Sequence, residues 1–444
     1  MSDFINSLKS KVQNKHFLSL TGNAVMSILG VVTYSLLYHS LSLDAIGIWI
    51  FFITGFSLLD TFRSGFLTIA FIKFYSGSSE SKQREVIGST WYIAILITIG
   101  FILLNIPAFL LEKYVNDTGF SMLLKWFGLT YILTLPFYIA SNIAQGEQRF
   151  DRLLYIRVIN TGSFIGFVAL LIFLKKNTLD NILYAYLTSS LLTSTFTLIF
   201  GWCKLSYLKN RSKESNSQIY NFGKFSVGTT LSASLFKTTD TIIIKVFLGD
   251  AALAIYNLGV KLLEVIEIPL RSFIATAIPI LSSSYNQKRK QEVIQSMSKF
   301  IGMLTIGLIP VAILSLLFAD LAIYIIGGSK YINTEAANVL RLFMTFALLF
   351  PADRFFALTI DVIHRPKVNF IKILVMLAAN LVFDFVGVKL FGNVYGIALG
   401  SIVPSVIAVV VGYKALQSYS KFSFWSIFPS GYKDLRTLIK SVKF

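Results

Sequence analysis

The chain has 444 residues, 55% of them hydrophobic and 14% charged, with a net charge of +18 and a single cysteine. Soluble domains carry about 25% charged residues, so the composition excludes a water-soluble globular protein. The lone Cys203 excludes an intramolecular disulfide or a cysteine metal cluster. The excess of Lys and Arg reads as cytoplasmic loops obeying the positive-inside rule, with no nucleic-acid partner.

The first 16 residues are polar and basic (Lys9, Lys11, Lys15), and no small-residue cleavage site follows, so no cleavable signal is expected. Hydropathy then predicts about twelve spans. In the first half they lie near 17–38, 46–74, 88–111, 122–144, 155–174 and 182–203. In the second half they lie near 226–248, 253–281, 300–326, 336–362, 370–391 and 395–415. Alternate loops, from 39–45 through 389–394, hold five Lys or Arg, and the remaining loops and the termini hold several times as many. That asymmetry places both termini in the cytoplasm.

Residues 43–87 are a fainter copy of 251–294. Arg63-Ser64 matches Arg271-Ser272, Thr68 matches Thr276, and Lys82-Gln83 matches Lys290-Gln291; Glu85-Val86-Ile87 then matches Glu292-Val293-Ile294 across a one-residue gap. Six spans per half is an even number, so the repeat is parallel and the site is expected between the halves. The expected plan is an all-α integral membrane protein of two parallel six-helix lobes around a central cavity. It comprises an N-terminal lobe (1–207), a cytoplasmic linker (208–225), a C-terminal lobe (226–416) and a basic, aromatic tail (417–444) on the anionic inner leaflet.

A charge at mid-membrane costs about 2.5–3.5 kcal/mol on insertion scales, so charged residues inside spans usually face a wet cavity or a partner. Span seven carries a polar stripe, Ser226, Thr230, Ser234, Lys237 and Thr241, with Asp240 beside it. Span eight carries Lys261, Glu264, Glu267 and Arg271 on one face. Pairing of Lys261 with Glu264 and of Glu267 with Arg271 would explain that stripe structurally. Two adjacent carboxylates in a low dielectric equally suit proton uptake and release, which makes Glu264, Glu267 and Asp240 the ion-coupling candidates. Pro269 is expected to free the carbonyl of Val265 between them.

Asp60 and Arg63 are one turn apart and can pair. The match of Arg63 to Arg271 suggests two guanidinium groups gripping a diphosphate, with Lys237 a further substrate-binding cation. After Pro351, Asp353 and Arg354 form a gate or a structural pair, and Asp384, Lys73 and Lys125 are expected as local pairs or snorkelling ends. No phosphate-cradling loop, catalytic triad or zinc spacing occurs, so an enzyme is not expected.

The run Thr-Asp-Thr-Ile-Ile-Ile-x-x-Phe-Leu-Gly (239–249), then Ala-Ile-Tyr-Asn-Leu-Gly (254–259), and the first-half Leu-Asp-Ala-Ile-Gly-Ile-Trp (43–49) resemble the multidrug/oligosaccharidyl-lipid/polysaccharide exporter superfamily. Within it, the chain is most similar to polysaccharide-biosynthesis flippases, including Wzx-type O-antigen translocases. The resemblance implies a V-shaped pair of lobes with a cavity lined by spans one, two, seven and eight. It implies transfer of an undecaprenyl-diphosphate-linked oligosaccharide across the inner membrane, coupled to a proton or sodium gradient without a cofactor. Membrane lipids and other polysaccharide-assembly proteins are the implied partners. A multidrug exporter of the same fold is the alternative, although span one, with Thr21, Asn23, Ser27 and Thr33, lacks the acid such exporters tend to show. A membrane enzyme of polysaccharide assembly is the rival from another class; the chain has neither a large periplasmic loop nor a histidine at a span centre.

The topology is directly testable. A reporter fused after Gly328 reads periplasmic, and one placed within 206–217 reads cytoplasmic; reversal of either overturns the assignment.

Overall fold

The structure, a computed structural model, describes residues 15–432, with side chains from Gly22 onward. Every regular element among them is a helix. This follows from the long apolar runs, because a backbone in hydrocarbon can satisfy its polar groups only within a helix or a closed barrel. The first half forms α1 (Lys15–Ser40), α2 (Leu43–Tyr75), α3 (Glu80–Leu111), α4 (Thr118–Gly146), α5 (Phe150–Phe173) and α6 (Leu179–Ile199). The second forms α7 (Lys213–Leu248), α8 (Asp250–Lys261), α9 (Glu264–Asn286), α10 (Lys290–Gly327), α11 (Ala336–Ala347), α12 (Phe350–Val362), α13 (Pro366–Phe391), α14 (Val394–Gly400) and α15 (Ile402–Gln417).

Caps set many of the starts. Ser42, Ser79, Asp117 and Thr178 each accept a hydrogen bond from the backbone N–H three residues on, which satisfies one of the orphan donors of a first turn. Nine helices among the described residues are long and apolar enough to cross a membrane, and α11 with α12, bent by 48°, makes a tenth. With α1 and the 36-residue α7, the set is consistent with the twelve expected crossings. The breaks in the second half sit beside prolines. Pro351 opens α12, where a missing N–H costs nothing, and Pro269 lies in α9 soon after the α8–α9 break.

Three features lie beyond what hydropathy marked. The linker at 208–225 is largely helical, because α7 begins at Lys213. Ser212 caps it, accepting from the Ser215 N–H at 3.1 Å while donating to Glu85 Oε2 at 2.7 Å. Likewise α3 and α10 start some eight to ten residues before the predicted apolar boundaries, their polar first turns continuing the helix. The tail folds back in part: Ile427 is fully buried, and Gly302 of α10 lies against the backbone of Ile427 and Gly431. Residues 433–444 of the tail, like Lys9 and Lys11, lie outside the described residues.

The chain divides into two compact units, one up to Thr238 and the other from Thr239, so the division falls inside α7. The N-terminal part of α7 packs on α2: Thr230 lies over Gly65, Gly223 against Phe66, and the hydroxyls of Thr61 and Ser234 meet at 3.1 Å. The core of the first unit gathers Phe71, Tyr75, Trp91 and Ile143. In the second, Phe355 and Phe356 of α12 are fully buried against α9, α10 and α15.

Within the second unit α13 and α14 touch backbone to backbone. A Cβ on Gly387 would stand 2.2 Å from the Gly396 carbonyl oxygen, and one on Gly396 would stand 2.2 Å from that of Gly387. Small residues at helix crossings permit such approach. Gly387→Ala therefore overpacks the crossing, at about 1–3 kcal/mol, and lowers the unfolding midpoint of the purified protein. Gly307→Ala, with nothing within 4 Å of the new methyl, leaves it unchanged or raises it.

Candidate functional site

Three groups of charged residues on the spanning helices are candidates for the site. In the first unit, Asp60 and Arg63 project from one face of α2 toward α4. Arg63 is 1% exposed and pairs with Asp60 at 2.6 Å. It donates to the Tyr131 carbonyl at 3.1 Å and to the Thr134 hydroxyl at 2.9 Å. The rings of Tyr131 and Tyr138 stand 4.5 and 4.6 Å from its guanidinium carbon. The shell extends further: the Tyr131 hydroxyl donates to the Leu59 carbonyl, and that of Tyr138 to the carbonyl of Arg63. At rest Arg63 is thus paired with Asp60 and packed against α4. The aromatic and hydroxyl groups of α4 enclose the guanidinium, whose remaining nitrogen, Nε, is buried without a partner.

In the second unit the span-eight stripe pairs along its own helix. Lys261 meets Glu264 at 3.6 Å and Arg271 meets Glu267 at 2.5 Å. Glu267 is also reached by Arg354 of α12 at 3.7 Å. Arg271 and Arg354 are 58% and 48% exposed, so two accessible guanidinium groups share one carboxylate. Asp353 and Arg354 do not pair with each other, because adjacent helical residues point apart. Asp353 instead binds Lys372 of α13 at 2.7 Å, a lysine only 4% exposed. Each of Glu264 and Glu267 thus has its own cation.

The third group was only half visible in the sequence. Asp240 of α7 accepts from the Tyr256 hydroxyl of α8, from Asn380 Nδ2 of α13 at 3.0 Å and from the Ser401 hydroxyl at 3.1 Å. The same Asn380 nitrogen donates to Asp384 Oδ2, one helical turn further along α13. Asp384 is fully buried, and its Oδ1 has no hydrogen-bond partner. Neither acid has an ion-pair partner among the described residues; Lys245, the next cation on α7, is held by Asp250 at 2.6 Å. Asp384 is therefore no snorkelling end or local pair. Two carboxylates bridged by one amide in a low-dielectric interior repel strongly. Asn380 and Asp384 stand four apart within the apolar run between Lys372 and Lys389, a signal that could have found them. Tyr256 and Ser401 gave none, since hydroxyls are common in spanning helices. Lys237, on α7, is exposed and has no ion-pair partner among the described residues.

A family model described as "Polysaccharide biosynthesis protein" matches residues 76–336. A probable low-salt glycan biosynthesis flippase of Haloferax volcanii is 23% identical over 347 residues, covering 78% of this chain and 71% of the relative. Among solved structures, an inward-facing multidrug resistance transporter of the MATE family has a TM-score of 0.73 at 15% identity, over 89% of this chain and 96% of that one. The lipid II flippase MurJ in an inward closed conformation also has a TM-score of 0.73, at 14% identity, over 96% of this chain and 93% of that one. The fold is the one these transporters share.

The contrast between the two arginines is measurable as stability. Arg63→Met strands Asp60 within a packed unit and costs about 3–5 kcal/mol, whereas Arg271→Met, losing an exposed pair, costs under about 1 kcal/mol. Unfolding midpoints of the two purified variants check the difference; equal losses would mean that the burial of Arg63 is not what holds α2 to α4.

Proposed function

Given that the chain belongs to the polysaccharide biosynthesis protein family, we propose that it is a flippase for a lipid-linked glycan. Its substrate on this reading is an undecaprenyl-diphosphate-linked oligosaccharide, an O-antigen or other surface polysaccharide unit. It is carried from the cytoplasmic to the periplasmic leaflet of the inner membrane by cation-coupled alternating access, with both termini in the cytoplasm. The flippase named among its relatives and the fold shared with MurJ support this reading; the steep Lys/Arg asymmetry of the loops supports the orientation.

The observation that carries it is the separation of charge within the second unit. Asp240, half-buried, and Asp384, fully buried, form an acid pair bridged by Asn380 that has no cation among the described residues. They are the coupling site, taking a proton or a sodium ion from the gradient. Elsewhere in the unit, Arg271 and Arg354 present an exposed excess of positive charge over Glu267. A diphosphate competes with Glu267 for these two guanidinium forks, since Arg binds phosphate oxygens in bidentate fashion. Lys237 is retained as a further cation available to the substrate. Arg63 holds the first unit together, and Glu264 is the counter-charge of Lys261.

Flipping of a lipid-diphosphate glycan by purified protein in proteoliposomes, with and without a cation gradient, tests this. Asp240→Asn with Asp384→Asn abolishes the response to the gradient, whereas Glu264→Gln does not. Arg271→Lys with Arg354→Lys weakens glycan binding with little loss of stability. A double Asn variant that still follows the gradient overturns the coupling site. A double Lys variant that binds as tightly as the parent overturns the anion site.

A further inference from the structure

We infer that a recess between α1 and α5 binds the phosphate of a membrane phospholipid, with Arg157 as its anchor. The recess lies wholly within the first unit and has a volume of about 220 Å³. Arg157, Asn23 and Gln145 supply its polar wall, and Phe150, Leu153 and Leu154 the apolar one. No carboxylate lines it among the described residues. Among the described residues the Arg157 guanidinium reaches only the Asn23 side-chain oxygen, at 3.5 Å, the outer edge of hydrogen bonding. The arginines at the start of the same helix are matched: Arg149 has Asp151 and Arg152 has Glu147.

Depth decides what can match Arg157. The 24 residues of α5 span about 36 Å at 1.5 Å per residue, slightly more than a hydrocarbon core of about 30 Å. Arg157 is the eighth residue, so its Cα lies about 10 Å from the start of the helix. Side chains on a helix lean toward its N-terminus, and a long arginine carries its charge back to the headgroup level. Arg157 is exposed there and has no carboxylate partner among the described residues, and the phosphodiester of a phospholipid is the anion the membrane offers at that level.

The wall fits such a group. The guanidinium fork takes two phosphate oxygens, the Asn23 and Gln145 amides can donate to a third, and Phe150 and Leu154 meet the first carbons of the chains. A freely snorkelling arginine would need no recess, and a soluble phosphate would need no apolar wall. The inference rests on the membrane-spanning fold alone and not on the glycan cargo, so either can fail without the other.

The experiment uses the full-length purified chain in detergent, reading ligand binding by native mass spectrometry and unfolding midpoint. The probes are phosphatidylglycerol, the matching diacylglycerol without phosphate, and inorganic phosphate. Phosphatidylglycerol binds and stabilises the protein; the other two do not. Arg157→Gln weakens phosphatidylglycerol binding by about tenfold, the worth of one charge-assisted hydrogen bond, and Arg157→Lys recovers part of it. Leu154→Trp fills the recess and expels the lipid with Arg157 still present, which keeps the test alive if Arg157→Gln folds poorly. Binding within twofold of the parent in both Arg157→Gln and Leu154→Trp overturns the site. Equal stabilisation by inorganic phosphate overturns its assignment to a lipid.

Discussion

Hydrocarbon offers no water to solvate a charge, and the placement of the ionisable groups in this chain follows from that constraint. An unpaired ion at the centre of a span is costly enough to oppose insertion, so each must be neutralised, brought to the headgroups or given access to water. Arg63 takes the first course in full, enclosed by Asp60, two rings and two oxygen acceptors. Arg271 and Arg354 keep a shared counter-ion and remain accessible. Asp240 and Asp384 take none of these courses. They are surrounded by hydroxyl and amide donors but lack a positive charge among the described residues, which is why the coupling role is assigned to them.

Much of the architecture could be read from the residues, because span length and loop charge are one-dimensional properties. The apolar runs gave the helices. What the pattern could not give was the partner across each helix. Arg63 and Arg271 occupy matching positions in the repeat, yet α4 places Tyr131 and Tyr138 over one, while the other has Glu267 a turn away and Arg354 of α12 across from it. Asp353 and Arg354 looked like a pair because they are adjacent, and helical geometry turned them to different neighbours. The linker was misread for another reason: hydropathy marks where a helix leaves the hydrocarbon, while the cap at Ser212 marks where it begins.

The second half of the chain also breaks its helices where the first does not. α2 runs 33 residues without interruption, while its counterpart is divided into α8 and α9. Spans ten and twelve are divided too, and Ser401, which donates to Asp240, sits at the break between α14 and α15. A broken helix exposes carbonyls and N–H groups that an intact one would use internally, and such groups at membrane depth are tolerated where protein encloses them.

A single helix ties the two charged regions of the second unit together. α13 carries Asn380 and Asp384, and two turns earlier it carries Lys372, about 12 Å along the axis. Lys372 is buried and bound to Asp353, which precedes Arg354 on α12, and Arg354 shares Glu267 with Arg271. A buried ion pair resists separation because parting it leaves two uncompensated charges, so α12 must follow α13 at that point. The 48° bend between α11 and α12 gives α12 a place to pivot. On the proposed function, a cation that draws Asp240 and Asp384 together moves α13, and through Lys372 and Asp353 it moves Arg354 relative to Glu267. On the same reading, the arginine freed from its shared carboxylate would meet a phosphate, and the state of the acid pair would set the strength of the anion site.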